Sequence, residues 1–175
     1  MLERFNVCDR DTWAWKLMTL HDLREVGAVS IPYFDEECVG VIKPNVEAMI
    51  ARMGGEILQQ VYNSTACQLS VARNKVYNKL MAYAWIDGSG SLCFSSDRMA
   101  TGRVVWIDQT LPAKTRVTLM AQILQQWDQW AVLADCDVIY SGSIRLNAGA
   151  FNRLHEQAGY TIRGSTAFKR IKELK

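Results

Sequence analysis

Residues 102–108, Gly-Arg-Val-Val-Trp-Ile-Asp, form a compact and nearly all-apolar run. Such a run fits a central strand covered on both faces rather than an edge strand with one wet side. Pro112 then precedes a stretch in which Val117, Met120, Leu124, Trp127 and Ala131 step by three and four. That spacing lays one continuous apolar stripe along the longest helix of the chain. Asp137–Ile144, Asp-Val-Ile-Tyr-Ser-Gly-Ser-Ile, reads as another buried strand. A strand–helix–strand crossover is therefore the frame into which the remaining segments must fit.

Upstream, Ala66–Asn74 and Asn78–Asp87 read as an antiparallel hairpin. Residues 87–91 read as a turn, and Leu92–Ser96 as a further extended piece. Leu2–Val7 is expected to be a short strand. Thr12–Gly27 is expected to be a helix, capped by Asp9 or Asp11, with Trp13, Leu17 and Leu20 at helical spacing. Pro32 argues that Ala28–Phe34 is extended but not an interior strand, and the acidic Asp35–Glu37 that follows reads as a solvated loop. Pro44 opens a second helix with Val46, Met49, Ile50, Met53, Ile57 and Val61 on one face, weakened at Gly54 and Gly55. Near the end come a short helix from Asn147, a glycine stop at Gly159, a strand, and a closing strand at Thr166–Ile171. The fold class is α/β (α+β): a mixed sheet in one domain, residues 1–175, with helices on both faces.

Composition removes several functions. The 20 basic and 18 acidic residues leave a net charge of +2, too balanced to argue for nucleic acid. No window nears the ~20 apolar residues of a membrane span, and the charged N-terminus has no apolar signal core. Five cysteines, odd in number and without a CxxC pair, read as reduced thiols of a cytoplasmic protein. His21 and His155 are the only histidines, which argues against zinc. Among six tryptophans, Trp127 and Trp130 read as core. Trp13 and Trp15 cannot both face the core of one helix, so one is expected to mark a partner surface.

In the last third, Asn147, Ala150, Leu154, His155, Gly159 and Tyr160 are spaced like the late motif of GNAT-type N-acyltransferases. The run at 102–108 resembles that family's fourth strand, and Cys136–Ile144 its fifth. The resemblance covers almost the whole chain in element order. It implies a mostly antiparallel sheet whose fourth and fifth strands splay apart to admit the pantetheine arm of acetyl-CoA, and an amine as acyl acceptor. It further implies a cofactor site at Ile107, Ser141 and Asn147. The pyrophosphate would lie over Lys114, Thr115, Arg116, Val117 and Thr118, at the N-terminus of the long helix. The family's glycines are missing from that loop, whose basic and hydroxyl side chains would have to substitute. Such loops resemble those of GNAT-like proteins of tailed phages. A non-catalytic virion or interaction protein that no longer uses CoA is therefore the alternative reading.

Amine acylation needs a neutral amine, a stabilised oxyanion and a proton for the departing thiolate. His155 stands where the family often carries a tyrosine acid, and an imidazole titrating near ~6.5 suits proton transfer. Tyr140 is the alternative acid, and Asp108, at the end of the fourth strand, is a candidate to deprotonate the amine through water. Each has a plainer reading: a packed helix histidine, a core tyrosine and a strand-end aspartate. Ser141 and Ser143 could line the acyl channel or simply form a turn, and Asn147 could be an ordinary N-cap. The acceptor and the oligomeric state stay open.

Overall fold

The computed structural model describes residues 12–38, 42–90, 93–143 and 148–163. The strands expected at Leu2–Val7 and Thr166–Ile171 lie outside them. The elements run β1 (Trp13–Leu17), a 3-10 turn (Leu20–Asp22), α1 (Leu23–Glu37), α2 (Val46–Tyr62), β2 (Cys67–Asn74), β3 (Leu80–Gly90), β4 (Met99–Ile107), α3 (Ala113–Leu133), β5 (Val138–Ser141) and α4 (Gly149–Gln157). The five strands form one sheet in chain order. All neighbours are antiparallel except β4 and β5, which the α3 crossover makes parallel. None of the described helices is long and apolar enough to cross a membrane.

Strand alternation divides the core in two. On the α1–α2 side Leu69, Val71, Tyr83, Trp85 and Trp106 meet Val26, Met53 and Ile57. On the α3 side the sheet presents small residues, Ala72, Ala82, Ala84 and Ala100, against Leu119, Ile123, Leu124, Trp127 and Trp130 of α3. Small residues on the sheet let the two indoles of the helix come close. Each large aliphatic side chain buried there contributes about 1.5–3 kcal/mol. Trp127 and Trp130 are core, as their spacing predicts.

Residues 12–38 differ from the sequence reading. Trp13–Leu17 is a strand, not part of a helix, because its edge pairs with β2 in register from Trp13↔Asn74 to Leu17↔Ser70. Two-residue periodicity then puts Trp13 and Trp15 on one face, where both indole N–H groups donate to Gln122 Oε1 at 2.9 and 2.8 Å. Trp13 is buried and Trp15 partly buried, so neither is the exposed tryptophan expected from a helix. The segment Ala28–Glu37 is helix, so both the extended stretch around Pro32 and the acidic loop are corrected. Pro32 sits on the exposed side of α1. The buried side is held by Ser30, whose hydroxyl donates to Val26 O and accepts from Tyr83 Oη, both at 2.6 Å. The lost backbone bond at Pro32 is thereby tolerated. Asp22, buried at the start of α1, accepts from Thr19 N and from Arg73 Nη2 of β2 at 2.9 and 2.8 Å, which ties this helix to the sheet.

Gly54 and Gly55 do not break α2, although Val61 is 72% exposed and falls off its buried face. The turn expected at 87–91 is the end of β3, which runs to Gly90. No strand forms among the described residues Cys93–Ser96. β5 is short and half-exposed rather than buried.

β4 and β5 pair only from Met99↔Val138 to Gly102↔Ser141. At that point the β3–β4 register slips, so that Trp85 faces Val104, Ile86 faces Gly102 and Arg103 has no partner. One extra residue in a strand bends it and increases its twist. The bulge therefore turns β4 away just where β5 ends, and the two strands separate beyond it.

Candidate active site

The fork between β4 and β5 opens into a cavity of about 470 Å³. Its walls are Gly102–Val105 and Ile107 of β4, Ser141–Ser143, the first turns of α3 (Ala113, Arg116, Val117, Met120), one face of α4 (Ala150, Phe151, Leu154) and the end of α1 (Tyr33, Phe34, Glu37). Asp108 donates its N–H to Met81 O, 2.9 Å away on β3. Backbone groups alternate direction along a strand, so Val105 and Ile107 aim their N–H groups the other way, into the fork, where β5 no longer pairs. Gly102 marks the apex. A Cβ there would stand 2.5 Å from Cζ3 of Trp127, the indole under the cleft floor.

No protein-family model and no curated protein matches the chain. Solved structures do. Glucosamine-6-phosphate N-acetyltransferase from Arabidopsis thaliana superposes with a TM-score of 0.63 at 12% identity, over 93% of this chain and 100% of its own. An aminoglycoside 6'-N-acetyltransferase from Acinetobacter baumannii gives 0.61 at 13%, over 93% and 99%. The aminoglycoside enzyme AAC(6')-Iy, solved with a bisubstrate analogue containing CoA, gives 0.62 at 15%, over 91% and 98%. This chain has the GNAT acetyltransferase fold.

On that GNAT frame, the N-terminus of α3 opens at the mouth of the fork. Pro112 is its N-cap and no side chain caps it. The first intrahelical bond from this end is Arg116 N–H to Pro112 O, at 3.1 Å, which leaves the N–H groups of Ala113, Lys114 and Thr115 directed outward. Arg116 and Val117 line the cleft, while Lys114 is exposed beside it and Thr115 is half-exposed. Thr118 is buried and spends its hydroxyl on Lys114 O at 3.0 Å, so it faces the helix rather than the cleft. Gln109, which the sequence reading missed, bridges strand and helix. Its Nε2 donates to Ile107 O and its Oε1 accepts from Arg116 Nη1, both at 2.7 Å. The bridge leaves Arg116 Nε buried with no partner among the described residues.

His155 is 1% exposed and does not reach the cleft. Its Nδ1 lies 2.9 Å from Phe151 O and its Nε2 2.9 Å from Ser141 Oγ. Burial disfavours the imidazolium and lowers its pKa, a shift the Phe151 carbonyl partly opposes. Ser141, in contrast, lines the cleft at its apex. Tyr140 points to the opposite face of β5, is half-exposed and is absent from the cleft walls. Asp108 is also off the walls. Burial would raise its pKa, but the ion pair with Lys79 Nζ at 2.7 Å and the bonds from Thr110, which close the turn after β4, hold the carboxyl below its usual range. The three expected proton-transfer groups therefore do not converge, because alternation on β5 and packing of α4 send them to different places. Asn147 lies outside the described residues.

Among the described residues, Glu37 is the one carboxylate on the cleft wall, beside the edge-on rings of Tyr33 and Phe34. Its signal was present in the sequence: Val26, Ser30, Tyr33 and Glu37 keep helical spacing straight through Pro32.

Proposed function

We propose that the protein is an N-acyltransferase that draws its acyl group from a CoA thioester. The observation that carries this reading is the fork itself. Its strands are paired up to Gly102 and Ser141 and separated beyond, with the amides of Val105 and Ile107 facing the gap. The residues fit the donor. The inward amides suit an amide-bearing arm entering like an added strand. The uncapped first turn of α3, with Lys114, Thr115 and the unpartnered Arg116 Nε, suits a pyrophosphate without the usual glycines. A bound thioester would supply an activated acyl carbon with a thiolate leaving group.

The chain's own residues then divide the work. The N–H groups of Val105 and Ile107 are the fixed dipoles available to charge developing on an acyl oxygen. Tyr33 and Phe34 form an apolar wall for the acceptor, and Glu37 is the group placed to take a proton from an acceptor ammonium. Isothermal titration with acetyl-CoA tests the reading. Micromolar binding is expected, weakened roughly tenfold or more in Lys114→Glu and Arg116→Glu by the loss of charge-assisted contacts. No heat up to millimolar CoA would overturn it and favour the non-catalytic interaction protein.

A further inference from the structure

We propose that Ser141 and His155 form a nucleophile–base dyad, so that the cleft cleaves activated esters and thioesters through an acyl-serine. A carbonyl can only accept, so the His155 ring nitrogen 2.9 Å from Phe151 O must carry the proton. That leaves Nε2 with its lone pair directed at Ser141 Oγ, also at 2.9 Å, and the serine hydroxyl donates to it. The ring cannot turn away. Phe151 lies tilted against it with centroids 3.8 Å apart, and Tyr160 meets it edge-on at 4.9 Å. The C-terminal cap of α4 holds Tyr160 in place, with Tyr160 N–H bonding His155 O at 2.9 Å around Gly159, whose φ is +92°. A serine, a base within hydrogen-bond reach and a third group orienting the base make up the arrangement of an activated nucleophile. The serine stands on the cavity wall and the histidine is sealed behind it, so water reaches the nucleophile but not the base.

The step balances without a further reagent. His155 Nε2 takes the hydroxyl proton as Ser141 Oγ bonds to the acyl carbon. The carbon–sulfur or carbon–oxygen bond to the leaving group breaks, the thiolate or phenolate departs into the cleft as the anion, and the proton stays on His155 Nε2. Water or an acceptor amine then attacks the ester from the cleft and sheds its proton to solvent, while Ser141 Oγ leaves with the proton held on His155 Nε2.

Only the natural donor rests on the CoA reading, and the test therefore uses a CoA-free ester as well. The protein is mixed with p-nitrophenyl acetate, nitrophenol release is followed, and acid-quenched samples are digested for mass spectrometry. Titration with CoA is run in parallel. The expected result is a burst of nitrophenol and one acetyl group on the peptide bearing Ser141, absent in Ser141→Ala. In His155→Gln and His155→Phe acylation slows roughly 100-fold or more, while far-UV dichroism and CoA affinity hold. Two histidine variants guard against one that fails to fold. No acetyl-serine in a wild-type protein that binds CoA would overturn the dyad, with Ser141 then serving only to satisfy a buried imidazole. Equal acylation in a folded His155 variant would also overturn it. Acetyl-serine without CoA binding would sustain the dyad and overturn the acyltransferase reading instead.

Discussion

Substituting Gly102 with alanine tests the packing that opens the fork. The added Cβ would sit 2.5 Å from Cζ3 and 3.3 Å from Cε3 of Trp127, and closer still to Cη2. Carbon atoms in contact rest about 3.5–4.0 Å apart, so the ring must withdraw by roughly 1 Å. Trp127 is 3% exposed and packed within the α3 core, so the ring can withdraw only by disturbing its neighbours there or by moving against the cleft floor. Overpacking of this kind costs about 1–3 kcal/mol. In a chain of this size each kcal/mol lowers Tm by about 2–4 °C, which puts the fall at about 2–12 °C. The backbone at Gly102 is not in the left-handed region, so the side-chain clash accounts for the whole effect. Thermal melts by circular dichroism would be run on Gly102→Ala, Trp127→Leu and the double variant. The double should be more stable than the sum of the singles implies, by about 0.5–3 kcal/mol, because leucine removes the clashing ring. A Gly102→Ala protein that melts with the wild type, or strictly additive losses, would refute the argument.

Other outcomes follow from the same contacts. Glu37→Gln should lower kcat at neutral pH by roughly 10²–10⁴-fold while CoA affinity stays unchanged, measured by steady-state kinetics and titration. His155 has a folded pKa below its unfolded value, so the unfolded chain binds the extra proton first. The stability His155 contributes is complete above pH ~6.5 and falls as pH drops toward the folded value. Melts from pH 8 to 5 should show that slope in the wild type and a flatter one in His155→Gln. The Asp87 carboxyl would be raised by burial, but Arg103 Nε at 2.6 Å and Ser89 hold it below its usual range. Its contribution is present above pH ~3.9 and lost as pH falls through the folded value. Arg103→Met should therefore destabilise by about 1–2 kcal/mol at pH 7, discounted for the partly exposed arginine, and the gap should narrow at pH 3 in urea titrations. Gly159→Ala should lower Tm by about 2–4 °C, since φ +92° strains any side chain while the space itself is open.

The second half of the chain was largely legible because its signals are local. Val117 to Ala131 repeat at helical spacing, Gly102–Asp108 is nearly all apolar, and α3 and β4 lie where those patterns place them. The second helix and the hairpin upstream were legible in the same way, but residues 12–38 were not. In Trp13–Leu17 a short strand shares its apolar residues with a plausible helix stripe, and only pairing with β2 and the shared Gln122 decide between them. Pro32 is a helix breaker by local rule, and the Ser30–Tyr83 contact across the core outweighs it. The candidate site divided in the same way. His155 was visible as an ionisable residue in a motif, but its burial, which puts it behind Ser141 rather than in the cleft, depends on α4 packing that no local pattern encodes.

What the sequence determined was thus the periodicity of the elements, their order, and the residues able to do chemistry, since these depend on neighbours a few positions apart. What the tertiary structure alone decided was which of those residues share a cavity. The bulge at Arg103, the early end of β5 and the passage of α1 over the cleft join Glu37, Val105, Arg116 and Ser141 across more than a hundred residues. The physical reason is that strand pairing and helix packing satisfy backbone bonds and bury surface between distant segments, and such contacts leave no spacing in the chain to read.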